Sequence, residues 1–392
     1  MSSDIITPQW ISDDGQLREL CSRWEKLPVL AIDTEFIRVN TFYPQIGLLQ
    51  VCDGEGSYLL DPLALEDWGA FRELLQAPEV LKVLHSCSED LLVFKEYFDL
   101  IPGPIFDTQR AAAFLGMGYS ISYQNLVSEL LDIHVGKGET RSDWLRRPLS
   151  EEQKAYAALD VAYLPGMYAY LKEKLQERGQ LEWLLAECEE MREIARQVED
   201  EANWEDLYLS MGASWRLDRA QLAVLRRLSI WREQQARQQN RPRPWVARDA
   251  DLILLAEEQP QSAAELRAMS GEKELSRDVL KQDPETLCRL IAEGREQSIP
   301  ADAEAQGKPL SPDQRRRLKH CQAATKRVAS ETGIAVELLA RKKQLIALLL
   351  AFDGPGVFEW PAELDGWRRA LLEKPLLAAL QPQEETAAGV DG

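Results

Sequence analysis

The chain is poor in the side chains that build soft-metal and redox sites. It has three histidines (His85, His134, His320) and six cysteines (Cys21, Cys52, Cys87, Cys188, Cys288, Cys321) among 392 residues. No two cysteines form a Cys-x-x-Cys pair, and none is grouped with histidines at zinc-ligand spacing, which argues against a zinc site. The first ten residues lack a basic segment followed by an apolar one. Scattered cysteines without such a leader point to a reducing compartment, the cytoplasm. The longest strongly apolar run, residues 345–352, is far short of the roughly 20 residues that a membrane span needs. No membrane role is expected. Also missing are Gly-x-x-x-x-Gly-Lys-Ser/Thr, His-Glu-x-x-His and Gly-x-Ser-x-Gly, so no nucleotide cofactor, metalloprotease helix or nucleophile elbow is expected.

Positive charge is scarce as well. Lys and Arg total 46 against 65 Asp and Glu, a formal net charge of -19. Taken whole, that balance argues against nucleic acid, whose phosphates attract basic surfaces. The distribution changes the argument. Residues 1–210 hold 18 Lys and Arg against 38 Asp and Glu, while residues 211–392 hold 28 against 27. The second half gathers two basic clusters. One is Arg216, Arg219, Arg226, Arg227, Arg232, Arg237, Arg241, Arg243 and Arg248; the other is Arg315, Arg316, Arg317, Lys319, Lys326 and Arg327. Any single member is most simply part of a solvated helix face. As sets, they are candidate phosphate contacts.

What is present suffices for real cores. Hydrophobic residues make up 45% and charged residues 28%, and the length corresponds to two or three domains at about 150 residues each. The first half reads as α/β. Strand-length apolar runs occupy 28–36, 46–53, 57–61, 81–85 and 105–107, with Asp53-Gly54 as a hairpin signal. Helical spacing occupies 66–76, 88–97, 108–115, 122–131 and 150–175. The expected fold is a mixed sheet flanked by helices over residues 1–180. An acidic helical connector is expected over 181–210, with one long helix at 181–207. A first all-helical domain should cover 211–295, a linker 296–308, and a second all-helical domain 309–382. The tail 383–392 is expected to be disordered. The two helical domains look like divergent copies of one unit.

Five residues in the first half suggest chemistry. Asp33 and Glu35 lie two apart on a strand and so point to one face. Two carboxylates so placed repel each other unless a cation lies between them, and hard divalent cations take oxygen ligands. Asp90 follows a later strand, in the first turn of a helix that Ser88 is placed to cap. Tyr156 and Asp160 are four apart on a helix and share a face. Each motif alone is common and has a bland structural reading. Together, four carboxylates and a phenol suit two-metal phosphodiester hydrolysis.

On these residues the sequence resembles the DEDD superfamily of 3′→5′ exonucleases, in its tyrosine-bearing branch, and within that branch the ribonuclease D family. The wording of residues 30–36, 43–50, 84–91, 106–109, 142–149 and 156–161 carries the resemblance, which covers about residues 25–175. The two helical domains resemble the HRDC domains that follow the nuclease domain in that family. The resemblance implies a ribonuclease-H-like fold and hydrolysis of RNA one nucleotide at a time from a free 3′ end, releasing nucleoside 5′-monophosphates. It implies tRNA precursors and other small structured RNAs as substrates, and Mg²⁺ or Mn²⁺ as two ions per site. Asp33, Glu35, Asp90 and Asp160 would be the metal ligands, and Tyr156 would orient the attacking water. Gln45, Gln50, His85, Lys137, Arg141, Arg146 and Arg147 are the candidate substrate contacts. Asp107 is better read as a helix cap. A monomer is the expectation. Two alternatives stand beside this reading: a DNA-directed exonuclease of the same chemistry, and a nucleic-acid-binding adaptor that works through its helical domains.

Overall fold

The computed structural model describes residues 7–136, 142–272, 275–300, 308–354 and 357–381. They form two compact units. One draws on residues 1–111 and 122–308, the other on 112–121 and 309–392. Among the described residues no helix is long and apolar enough to cross a membrane.

The larger unit begins with β1 (Gln9–Ile11), α1 (Asp14–Trp24), β2 (Val29–Ile37), β3 (Gln45–Cys52) and β4 (Ser57–Leu60). There follow α2 (Gly69–Gln76), β5 (Leu81–Leu84), α3 (Ser88–Phe98), β6 (Ile105–Asp107) and α4 (Thr108–Phe114). The six strands make one sheet in the order β1-β4-β3-β2-β5-β6. β2 pairs antiparallel with β3 and parallel with β5, so it sits at the centre. β4 pairs antiparallel with β3, while β1–β4 and β5–β6 are parallel. The expected mixed sheet is thus present. The Asp53-Gly54 turn has Gly54 at φ +91, where glycine carries no Cβ penalty. Asp53 Oδ1 accepts the Glu55 and Gly56 amides at 3.0 and 2.9 Å.

The nuclease-like part continues with α5 (Tyr123–Leu131), α6 (Glu151–Ala162), α7 (Leu164–Glu177) and α8 (Leu181–Arg196). Two expectations are corrected here. Residues 150–175 form two helices, broken at Tyr163, and Pro165 takes an early position of the second, where its missing N–H costs nothing. The acidic helix stops at Arg196 instead of running to 207. Short 3₁₀ turns follow at Glu201–Trp204, Leu207–Ser210 and Ser214–Arg216, and they bury Trp204 and Tyr208.

A helical bundle completes this unit: α9 (Arg219–Gln238), α10 (Arg243–Val246), α11 (Asp249–Glu258), α12 (Ala263–Glu272), α13 (Arg277–Leu280) and α14 (Pro284–Glu296). The smaller unit contains α15 (Pro312–Thr332), α16 (Val336–Leu339), α17 (Lys342–Asp353) and α18 (Trp367–Leu380). Both bundles start with a long helix opened by a capping box, Asp218 with Gln221 and Ser311 with Gln314. Each then has a one-turn helix, one extended alanine (Ala247, Ala340) and a further helix. This shared order agrees with the expected divergent repeat. Residues 112–121 join the smaller unit: Ala335 N–H donates to Ala113 O at 2.8 Å, and the Phe114 and Trp367 rings lie 4.9 Å apart. The tail 383–392 and most of the 296–308 linker lie outside the described residues.

Candidate active site

The central strand places the first two carboxylates. Asp33 and Glu35 alternate with Thr34 on β2, and a bulge follows between Glu35 and Phe36. Asp90 arrives through the turn between β5 and α3. That turn holds Ser86 at φ +60, a left-handed conformation costly for a side chain with a Cβ. The N-cap position of α3 is Cys87 and not Ser88, and no side chain caps it. Instead, the Cys87 amide donates to Asp107 Oδ2 at 2.8 Å. Asp107 also accepts from Arg110 N–H at 2.9 Å at the start of α4, so it is a cap and a brace. The Thr34 hydroxyl donates to Asp90 Oδ1.

α6 supplies the remaining pair. A Ser150/Gln153 capping box starts it, and Tyr156 and Asp160 follow one turn apart. The phenol lies close enough to the Asp160 carboxylate for each to shift the other's titration. The Tyr123 hydroxyl donates to Leu159 O at 2.6 Å, which anchors the turn that carries Asp160. Below Tyr156, the segment after residue 142 presses onto β3. Trp144 and Leu149 pack with Leu48, Leu59 and Ala157.

The four carboxyl groups act on one another. Burial raises Asp33 well above the usual carboxylate range, and repulsion from Asp90, Asp160 and Glu35 adds to it. Glu35 is pushed up to about 9 by burial and by repulsion from Asp160 and Asp90. Burial pushes Asp90 to about 6, opposed by the Thr34 hydrogen bond. Asp160 rises to about 7 through burial, opposed by Tyr156. Burial and the Asp160 and Glu35 charges raise the Tyr156 phenol in turn. The phenol therefore stays protonated near neutral pH and can donate a hydrogen bond.

Among the described residues no three His, Cys, Asp or Glu side chains are already gathered closely enough to hold an ion. The chemistry of the donor set nonetheless fits a divalent cation. Hard oxygen ligands are present, and their mutual repulsion is what a cation between them would relieve.

The candidate substrate contacts divide. Gln45 is exposed at the start of β3, where it pairs with Ile37. His85 is half-buried. Its Nδ1 lies 2.9 Å from Thr108 Oγ, which itself donates to Leu84 O, so Nδ1 donates. Arg146 is exposed. Lys137 and Arg141 lie outside the described residues. Arg147 is a correction: its guanidinium binds Asp61 at 2.9 and 2.5 Å, Gly47 O at 2.7 Å and Trp144 O at 2.8 Å. That network staples the 142–149 segment to the sheet and leaves the side chain no freedom to reach a phosphate.

Six of the nine arginines in the first basic cluster are ion-paired, while Arg216 and Arg241 stay exposed. Arg226 pairs with Glu205, Arg227 with Glu293, Arg232 with Asp249, Arg237 and Arg243 with Glu233, and Arg248 with Asp251. These are internal struts of the bundle. Sequence reasoning did not anticipate the environment of Gln50. It stands opposite Asp33 in the β2–β3 register, fully buried, and neither polar atom of its amide has a partner among the described residues.

Comparison with known proteins settles the family. Residues 8–176 match a 3′–5′ exonuclease family, 221–280 the HRDC domain, and 312–376 the C-terminal HRDC domain of ribonuclease D. Ribonuclease D of Pseudomonas paraeruginosa is 45% identical over 373 residues, 95% of this chain and 97% of that protein. The chain belongs to the ribonuclease D family. Ribonuclease D of Escherichia coli is 34% identical over 386 residues, 95% of this chain and 98% of its own. The E. coli crystal structure, described as an exoribonuclease involved in structured RNA processing, superposes with a TM-score of 0.82, covering 95% of this chain and 98% of that one. As a ribonuclease D family member the chain is an enzyme, a 3′–5′ exoribonuclease, and the exonuclease family implies dependence on a divalent metal.

Proposed function

We propose that the chain removes single nucleotides from RNA 3′ ends by two-metal hydrolysis and releases nucleoside 5′-monophosphates. tRNA precursors and other small structured RNAs in the cytoplasm are the proposed substrates. The supporting observation is the set of four mutually repelling carboxyl groups with Tyr156 beside Asp160. Asp33, Glu35, Asp90 and Asp160 would hold two Mg²⁺ or Mn²⁺ ions, which when bound supply the charge that stabilises the attacking and leaving oxygens. Tyr156 keeps its proton and orients the attacking water through its hydroxyl. Thr34 fixes Asp90 so that one carboxylate oxygen remains for other work. Gln45, His85 and Arg146 are the proposed nucleotide contacts that survive.

For the phosphate backbone, α15 is the better-supported surface. Residues 314–330 carry six cations and no acid. Arg316 and Arg317 pair with Asp313 and Asp353. Arg315, Lys319, Lys326 and Arg327 are exposed, and the first three fall on one helical face.

The test is incubation with 3′-extended tRNA, with and without Mg²⁺, reading product lengths and mononucleotide release. A ladder shortening by single nucleotides, lost in EDTA and in Asp33→Ala, is expected. Tyr156→Phe should lower turnover at least ten-fold while Mn²⁺ binding stays near wild type. Hydrolysis that persists in EDTA, or in Asp33→Ala, refutes the reading. Equal or faster cleavage of the matched DNA would favour the DNA-directed alternative.

A further inference from the structure

The loop 38–44 connects the two strands nearest the carboxylates. It leaves β2 three residues after Glu35 and enters β3 at Gln45. Its centre belongs to the first helical bundle. Phe42 is only 6% exposed and packs in that bundle's core with residues such as Tyr208, Leu228 and Trp231. Its ring lies 4.5 Å from the Arg237 guanidinium and 4.8 Å from that of Arg243. Both arginines are anchored on Glu233, which is fully buried. Asn240, just beyond α9, accepts the Phe42 and Tyr43 amides on one side-chain oxygen, each at 3.0 Å. The Tyr43 hydroxyl adds a bond to Glu199 at 3.2 Å.

The same loop reaches back to the site. Arg38 Nε donates to Phe42 O at 2.8 Å, and Arg38 Nη1 meets Glu89 at 3.1 Å. Glu89 is the residue before Asp90. A continuous set of directed contacts therefore runs from Asn240 through Phe42 and Arg38 to the two segments that carry Glu35 and Asp90. Seven residues without regular structure would sample many conformations without such ties. A clamp on backbone N–H groups fixes the chain itself and not just one side chain.

We propose that the first helical bundle is a positioning part of the nuclease site, with Asn240 as the residue that sets the 38–44 loop and through it Glu35 and Asp90. The inference rests on the proposed metal-binding role of those carboxylates. Asn240 acts through the loop and touches neither substrate nor metal. Misplacing a reacting group by about 1 Å can cost on the order of 100-fold in rate, and loss of the clamp should cost part of that.

Asn240 sits at φ +46, so Asn240→Gly deletes the acceptor without backbone strain. Asn240→Asp keeps an acceptor for the same two amides. In the full-length protein, Asn240→Gly should release the amide-exchange protection of Phe42 and Tyr43. On a short unstructured oligoribonucleotide, kcat should fall about ten-fold with KM within two-fold. Mn²⁺ binding measured by calorimetry without RNA should weaken. Asn240→Asp should restore all three. Phe42→Ala, which vacates the bundle core, should repeat the kcat loss. Wild-type kcat and Mn²⁺ affinity in an Asn240→Gly protein whose loop is released overturn the proposal and leave the clamp a purely structural tie. Unchanged exchange protection overturns it too, because Asn240 then does not hold the loop. If wild-type protein shows no metal-dependent hydrolysis, the functional reading fails instead, and the exchange and Mn²⁺ titrations still judge the clamp.

Discussion

Gly47 is where a single methyl group should do the most damage per atom. It lies in β3 against the segment that supports Tyr156. A Cβ built there would meet Trp144 Cβ at 2.6 Å, Trp144 O at 2.7 Å and Trp144 C at 2.9 Å. Two of the three are backbone atoms and the third is bonded to the backbone, so no flexible side-chain tip can swing away. Restoring an ordinary contact of 3.4 Å requires the 142–149 segment to lift by about 1 Å. That segment is pinned by Arg147, which bonds both Gly47 O and Trp144 O. Lifting it strains those bonds and loosens Trp144 and Leu149 from Ala157 and Tyr156. Overpacking of this kind costs about 1–3 kcal/mol. At roughly 2–4 °C per kcal/mol for a domain of this class, Gly47→Ala should lower Tm by about 2–12 °C. Turnover should fall by about ten-fold or more, since the α6 residues rest on the displaced segment. Gly136→Ala is the control, because nothing lies within 4 Å of its added Cβ; it should stay within about 0.5 kcal/mol of wild type. Tm by calorimetry and single-turnover rates decide the matter. A Gly47→Ala protein with wild-type Tm and rate would mean that the segment does not bear on β3 as described.

Two further outcomes follow. Lys82 is fully buried with its ammonium on the Leu74, Ala77 and Gly103 carbonyls, and burial with the nearby Arg192 charge pushes its pKa down to about 7. At this group the unfolded chain binds more protons than the folded one between pH 7 and 10.5, so the Lys82 contribution to folding stability rises with pH across that window, and urea melts should show stability changing more positively with pH in wild type than in Lys82→Met. On α15, replacing Arg315, Lys319 and Lys326 together by Gln should flatten the log–log salt dependence of structured-RNA affinity by about 2–3 units; an unchanged slope would remove α15 from the RNA interface.

The parts legible in the sequence were those written locally. The strands β2 to β6 show as apolar runs ended by turn residues. The acid pairs show because strand and helix periodicity alone puts Asp33 with Glu35 and Tyr156 with Asp160. β1 was missed because three residues carry no period, and its partner β4 is 49 positions away in register. The end of α8 at Arg196 was missed because the acidic, helix-forming composition continues past it, while burial of Trp204 and Tyr208 demands tighter turns. Arg147 misled for a reason of distance: its partner Asp61 is 86 residues off, so a structural cation read as a phosphate contact. The Asn240 clamp spans 198 residues, and nothing in either local sequence announces it. That the Gln50 amide has no partner among the described residues is visible only once register sets it against Asp33.

The scarcity of positive charge gains a different meaning from these pairings. A basic cluster in sequence is a reservoir of cations, and folding decides how many remain for a ligand. In the first bundle, acids from within the unit take most of them, and Glu233 alone holds two arginines. On α15, by contrast, Arg315, Lys319, Lys326 and Arg327 stay exposed, and no acid lies between residues 314 and 330. A few exposed cations on an otherwise acidic chain would give RNA a local and salt-sensitive grip. The negative charge that seemed to speak against nucleic acid is therefore compatible with the proposed chemistry: the carboxylates would serve metals at the site, and repulsion elsewhere would keep the grip local.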